Sequence, residues 1–167
     1  MKILITGGKS SPSYKILKAF EGEQIILADY GELPSFSPGS CQLLSLGEKN
    51  EETVAHQLLN ACLDQEVNML LPLHEFEVLA VSKAALLFSE FDIEVLLPAM
   101  VEIPEYFYPQ EEVKKGHNWA VFRHGELLYS PAPDDAMSET GLSKKLNGAF
   151  YIPETSEGVT AILYTIA

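Results

Sequence analysis

Basic residues are scarce in this 167-residue chain: 11 Lys and Arg stand against 24 Asp and Glu, a formal net charge of −13. A surface so charged repels a phosphate backbone, whose binding needs clustered Lys and Arg, so nucleic acid and anionic lipid surfaces are excluded as partners. Cysteine is almost absent. Cys41 and Cys62 are the only two and form no CxxC pair, which argues against a disulfide framework or a thiolate metal site and leaves both as small core fillers. No apolar run approaches the roughly 18 residues of a membrane span. The first one, Ile3 to Ile5, leads into glycines rather than a small-residue cleavage site, so the expected location is the cytoplasm. Internal repeats and low-complexity tracts are also missing.

What is present is a β-α-β rhythm. Lys2–Thr6 reads as a strand, Gly7-Gly8 as a turn, and Tyr14, Ile16, Leu17 and Phe20 as a helix, with Ser11 as its N-cap, Pro12 in the first turn and Gly22 closing it. Gln24–Ala28 is the second strand, stopping at Asp29. Its apolarity is continuous rather than alternating, the mark of a strand covered on both faces. After the Pro- and Ser-rich loop from Tyr30 to Gly39, a strand is expected around 42–46, a helix over 51–65, a strand over 68–73, a helix over 75–89 and a strand over 93–97. Alternation of this kind predicts an α/β, Rossmann-like doubly wound parallel sheet.

The rhythm breaks at Pro98. Trp119–Phe122 and Glu126–Tyr129 flank His124-Gly125 and predict a β-hairpin; 138–146 is a helix candidate closed by Asn147-Gly148; the last ten residues are compatible with strand or helix. The expected organisation is a core over 1–98 and a C-terminal extension over 99–167 packing on the same domain. Tyr106, Phe107, Tyr108, Trp119 and Phe122 form an aromatic group that either docks a partner or seals the open edge of the sheet, the seal being preferred. The apolar ending from Ile162 fits a terminal element packed in the core, an edge for self-association, or part of a longer chain.

Thr6-Gly7-Gly8 lies where backbone N–H groups opening a helix can cradle a phosphate. The dinucleotide fingerprint G-x-G-x-x-G fails, because Ser10, Ser11 and Pro12 occupy the later positions, and this argues against NAD(P) although Asp29 stands where a ribose-binding acid would. His74-Glu75-Phe76-Glu77 follows a strand and invites a metal or general-base reading; it is not HExxH, only His74 and Glu77 can reach each other, and the plain reading, a polar helix start favoured by the dipole, is preferred. His117 and His124 flank the hairpin without a carboxylate or cysteine at ligand spacing, so no metal site is assigned. No nucleophile has an identifiable base, and no catalytic residues are assigned.

The run Lys2–Gly8, the strand end Leu27-Ala28-Asp29, the junction Leu71–Glu77 and the segment Glu94–Pro98 resemble the pre-ATP-grasp domain of carbamoyl phosphate synthase-like proteins. The resemblance covers about Met1 to Pro98, and the residues after it are too few for an ATP-grasp body. It implies a binding or accessory module acting with an ATP-grasp protein or by self-association, with Thr6, Gly7, Gly8, Asp29, His74 and Glu75 lining a ligand pocket. The alternative is a small protein binding ATP or another nucleotide, or an enzyme, that uses Gly7-Gly8 and Asp29.

Overall fold

The computed structural model describes residues 1–35, 39, 41–107, 118–155, 158–159 and 161–166, with 154–155 and 158–159 described by backbone alone. Tyr108, Pro109 and His117 of the sequence reading lie outside them. The first five strands are β1 (Lys2–Thr6), β2 (Gln24–Asp29), β3 (Gln42–Ser45), β4 (Met69–Leu71) and β5 (Glu94–Val95), and they form one parallel sheet in the order β3-β2-β1-β4-β5. The order reverses between β1 and β4, the topological switch point at whose carboxyl side ligands bind in open α/β sheets.

Successive residues of a strand point to opposite faces, and here both faces are buried. Leu4, Ile26, Ala28 and Leu70 enter one core, while Ile3, Ile5, Leu27, Met69 and Leu71 enter the other. This explains why β1 and β2 are apolar without interruption. Helix α1 (Ser11–Ile16) and the 3-10 turn Leu17–Phe20 cover the second face through Ile16 and Phe20; α2 (Val54–Asp64), α3 (Glu75–Lys83) and α4 (Ala85–Glu90) cover the first through Leu58, Val78, Val81 and Phe88. The sheet is thus doubly wound and Rossmann-like. Among the described residues no helix is long and apolar enough to cross a membrane.

A short helix, α5 (Ile103–Tyr106), precedes β6 (Asn118–Arg123) and β7 (Glu126–Tyr129), which pair as the expected hairpin. That hairpin is the outer half of a larger unit. After α6 (Asp135–Lys144), β8 (Gly148–Ile152) pairs with the other side of β6. β9 (Glu154–Thr155) and β10 (Gly158–Val159) pair with each other, and β11 (Ile162–Leu163) completes a four-stranded antiparallel sheet in the order β11-β8-β6-β7. Within the last ten residues of the sequence reading, 158–159 and 162–163 are strand and none of the described ones is helix, while 157 and 160 lie outside the described residues. Ala120, Phe122 and Phe150 join the first core, and Trp119, Val121, Ala149 and Tyr164 the second, so both sheets fill the same two interiors.

The edge of the parallel sheet is closed by side-chain hydrogen bonds. Along β5 and the residues just after it, alternate backbone groups face inward: the N–H groups of Glu94 and Leu96 donate to Asn68 O and Leu70 O. The outward carbonyls of Val95 and Leu97 accept from the Asn147 amide at 3.2 and 3.1 Å, and Arg123 forms an ion pair with Glu94 at 2.8 Å. The aromatic group expected as a seal divides by strand alternation. Tyr106 and Phe122 pack edge-on against Phe150 on one face, while Trp119 meets Tyr129 and Tyr164 on the other.

Several boundaries differ from the sequence reading for local reasons. Ser10, not Ser11, holds the N-cap position of α1, and its side chain makes no cap bond; Ser13 Oγ instead donates to Ser10 O. The 51–65 helix begins only at Val54, after a turn. The 75–89 helix is interrupted at Ala84, whose N–H is shared between Ala80 O and Val81 O. The 138–146 helix starts at Asp135, because Asp134 Oδ1 accepts the Met137 N–H at 2.7 Å, and it ends with Lys145 in the left-handed region rather than at Gly148.

Candidate functional site

The carboxyl ends of β1, β2 and β4 bring together Thr6, Gly7, Gly8, Asp29 and His74, with Glu75 opening α3. At their centre is a residue whose preferred reading from sequence is a polar helix start, with His74 in its reach: Glu77, with no solvent exposure at all. Its Oε1 accepts from the Thr6 hydroxyl at 2.6 Å and from the His74 N–H at 3.0 Å, and its Oε2 accepts from the Tyr30 hydroxyl at 2.7 Å. The Thr6 hydroxyl in turn accepts the Leu73 N–H at 2.7 Å, so this one side chain ties β1 to the loop after β4. Burial pushes the Glu77 carboxyl above its ordinary range in spite of the donors around it. Burial, with the charge of Glu77 beside it, pushes the Tyr30 phenol far above its own.

Asp29 faces the glycine loop. Gly7 has φ +82°, the left-handed conformation that glycine adopts without a Cβ clash, and it turns the chain so that the next N–H groups point at β2. Gly8 N–H donates to Ala28 O at 3.0 Å, Lys9 N–H to Asp29 Oδ2 at 3.0 Å, and Ser10 N–H to Gly7 O at 2.9 Å. The donors that would cradle a phosphate are therefore engaged within the chain, and the Asp29 carboxylate holds the anion's position. Its Oδ1 also accepts from Tyr30 N–H at 2.8 Å and from His74 Nε2 at 2.9 Å. Burial alone would raise the Asp29 carboxyl, but the bonds from His74, Lys9 and Tyr30 hold it below its usual range. An ionised carboxylate only accepts, so His74 Nε2 carries the proton.

The remaining gap over the switch point is filled by the chain's own C-terminal segment. Ile166 N–H donates to Leu73 O at 2.6 Å, Glu75 N–H donates to Ile166 O at 2.9 Å, and Ile166 bridges His74 in parallel fashion. The Ile166 side chain lies directly over Gly7, where any Cβ would overlap it. Gly8 is nearly as tight, because a Cβ there would stand 3.1 Å from Leu27 Cβ. The side chains of Tyr30, His74 and Phe76 make one aromatic group, with His74 stacked on Phe76 at 5.2 Å and Lys49 Nζ 4.0 Å from the Phe76 ring centre.

Five of the six residues singled out from sequence meet here by side chain or backbone turn, and Glu75 contributes its N–H. Three members of the network were not among them: Lys9, whose Nζ donates to Tyr30 O at 2.5 Å, Tyr30 and Glu77. The signal for Glu77 was its place three residues after His74, where a Glu reaches back to the N-cap N–H. The network's acids and donors face one another rather than an open surface. Elsewhere, burial pushes the Cys62 thiol up to about 12, and His124 is an exposed partner of Glu94. Among the described residues no three His, Cys, Asp or Glu side chains are grouped to hold a metal ion. No family model matches the chain, and no curated protein matches it.

Proposed function

We propose that this protein is a non-catalytic binding or accessory module, related to the N-terminal domain of ATP-grasp ligases and acting with a separately encoded ATP-grasp protein or by self-association. The observation that supports this most is the position of Asp29. Its carboxylate takes the N–H that a phosphate would need at the glycine loop, while Ile166 fills the space above Gly7. A ligand phosphate there would have to displace a carboxylate held by three donors and meet its negative charge at close range. The groups around Glu77 are likewise satisfied within the chain, so they position strands and leave no acid or base directed at a substrate.

The test is a thermal-shift series with ATP, ADP, AMP, NAD and NADP in the presence of magnesium, since a ligand that binds only the native state raises Tm. A flat response from all five is expected. A saturable rise that is lost in Asp29→Ala overturns the proposal in favour of nucleotide binding at Gly7, Gly8 and Asp29.

A further inference from the structure

A second cleft, of about 430 Å³, opens at the carboxyl end of β5, where the parallel sheet meets the 123–125 turn and the end of α6. It lies beyond the Asp29 network and involves none of its residues. Its apolar lining is Leu97, Pro98 and Leu142, and Leu142 remains 61% exposed. The loop that forms one rim also leaves Val101 80% exposed. Glu102 and Lys145 line the same cleft with opposite charges, and among the described residues neither forms an ion pair. The other polar groups there are already engaged: His124 with Glu94, and the Asn147 amide with Val95 O and Leu97 O.

The rim is built rather than loose. His124 N–H donates to Asn147 Oδ1 at 3.1 Å, Gly125 N–H to Leu146 O at 2.8 Å, and Leu146 N–H to Gly141 O at 3.0 Å. His124 and Lys145 both have left-handed backbones, φ +51° and +52°, a conformation that a non-glycine residue keeps where the surroundings impose it. This fixed backbone carries Lys145 and Glu102, both exposed and, among the described residues, without an ion-pair partner, beside an apolar wall. We infer that this cleft binds a free apolar α-amino acid, its carboxylate directed to Lys145, its ammonium to Glu102 and its side chain to Leu97 and Leu142. The inference is independent of the function proposed above.

The test is a titration of the full-length protein with L-leucine, followed by the amide signals of the isotope-labelled chain. Saturable shifts confined to His124, Leu142, Lys145 and their neighbours are expected, with binding weakened roughly tenfold or more in Lys145→Gln and in Glu102→Gln, whose unchanged amide dispersion shows the fold is kept. Leucinamide, which lacks the carboxylate, and 4-methylpentanoate, which lacks the ammonium, should each bind at least about tenfold more weakly. The inference is overturned by no saturable shift up to about 10 mM leucine, by analogues that bind as well as leucine, or by shifts centred on Gly7 and Asp29 instead.

Discussion

Thr6→Val is the sharpest perturbation of the buried network, because it removes one oxygen that serves two groups. Glu77 Oε1 keeps only the His74 N–H, and the Leu73 N–H loses its acceptor altogether. A hydrogen bond to a buried charged group contributes about 1.5–3 kcal/mol, and an orphaned buried N–H costs about 1–3 kcal/mol. The added methyl returns at most about 0.8 kcal/mol of apolar burial. The net loss is about 3 kcal/mol, which at about 2–4 °C per kcal/mol for a chain of this size lowers Tm by roughly 6–12 °C. Urea unfolding at pH 7, read with its slope, measures the same quantity. Thr6→Ser, which keeps the hydroxyl, should recover most of it. A Thr6→Val loss under about 0.5 kcal/mol with unchanged slope would mean that Glu77 is held by something other than this network.

Other consequences follow from neighbouring groups. Asp29 sits below its ordinary range, so its stabilisation is complete above about pH 3.9 and fades as pH falls through the folded-state value; Asp29→Asn should therefore lose about 2 kcal/mol at pH 7, and the gap to the parent should close in acid unfolding below about pH 4. Glu77 has the opposite sign, costing stability as pH rises from its unfolded value through its raised folded one, and Glu77→Gln should flatten that part of the pH–stability curve. Gly7→Ala meets both a left-handed backbone and the Ile166 side chain, whereas Gly22→Ala, at φ +90° with nothing within 4 Å, meets only the first. Denaturation should show Gly7→Ala as the more damaging by about 1 kcal/mol or more, with part of the difference recovered by adding Ile166→Ala; equal losses would remove Ile166 from its place over Gly7. Asn147→Ala should leave the outward carbonyls of Val95 and Leu97 without their side-chain partner, lowering stability by about 1–3 kcal/mol and raising the mass measured by light scattering at high concentration; an unchanged mass would show that β5 is protected from strand addition by other means.

The parallel sheet was legible in the order of the residues. Unbroken apolar runs at Ile3–Ile5 and Ile25–Ala28, each bounded by turn residues, fit strands buried on both faces, and the amphipathic spacing of Val54, Leu58 and Cys62 marks the helix that covers one of them. That order also marked the carboxyl-end residues Thr6, Gly7, Asp29 and His74, because strand ends and turn residues are local signals. The reach of the second sheet depended on pairings between segments far apart in the chain. β8 finds β6 and β11 finds β8 through contacts that no local periodicity encodes. The fate of the glycine loop was decided in the same way. Nothing in Gly7-Gly8 reveals that Asp29 would take the Lys9 N–H, that Ile166 would return from the far end of the chain to lie over Gly7, or that Glu77 would be enclosed by Thr6 and Tyr30. A glycine turn at a strand end offers its N–H groups to whatever acceptor the tertiary fold brings nearest, and in this protein those acceptors belong to the chain itself.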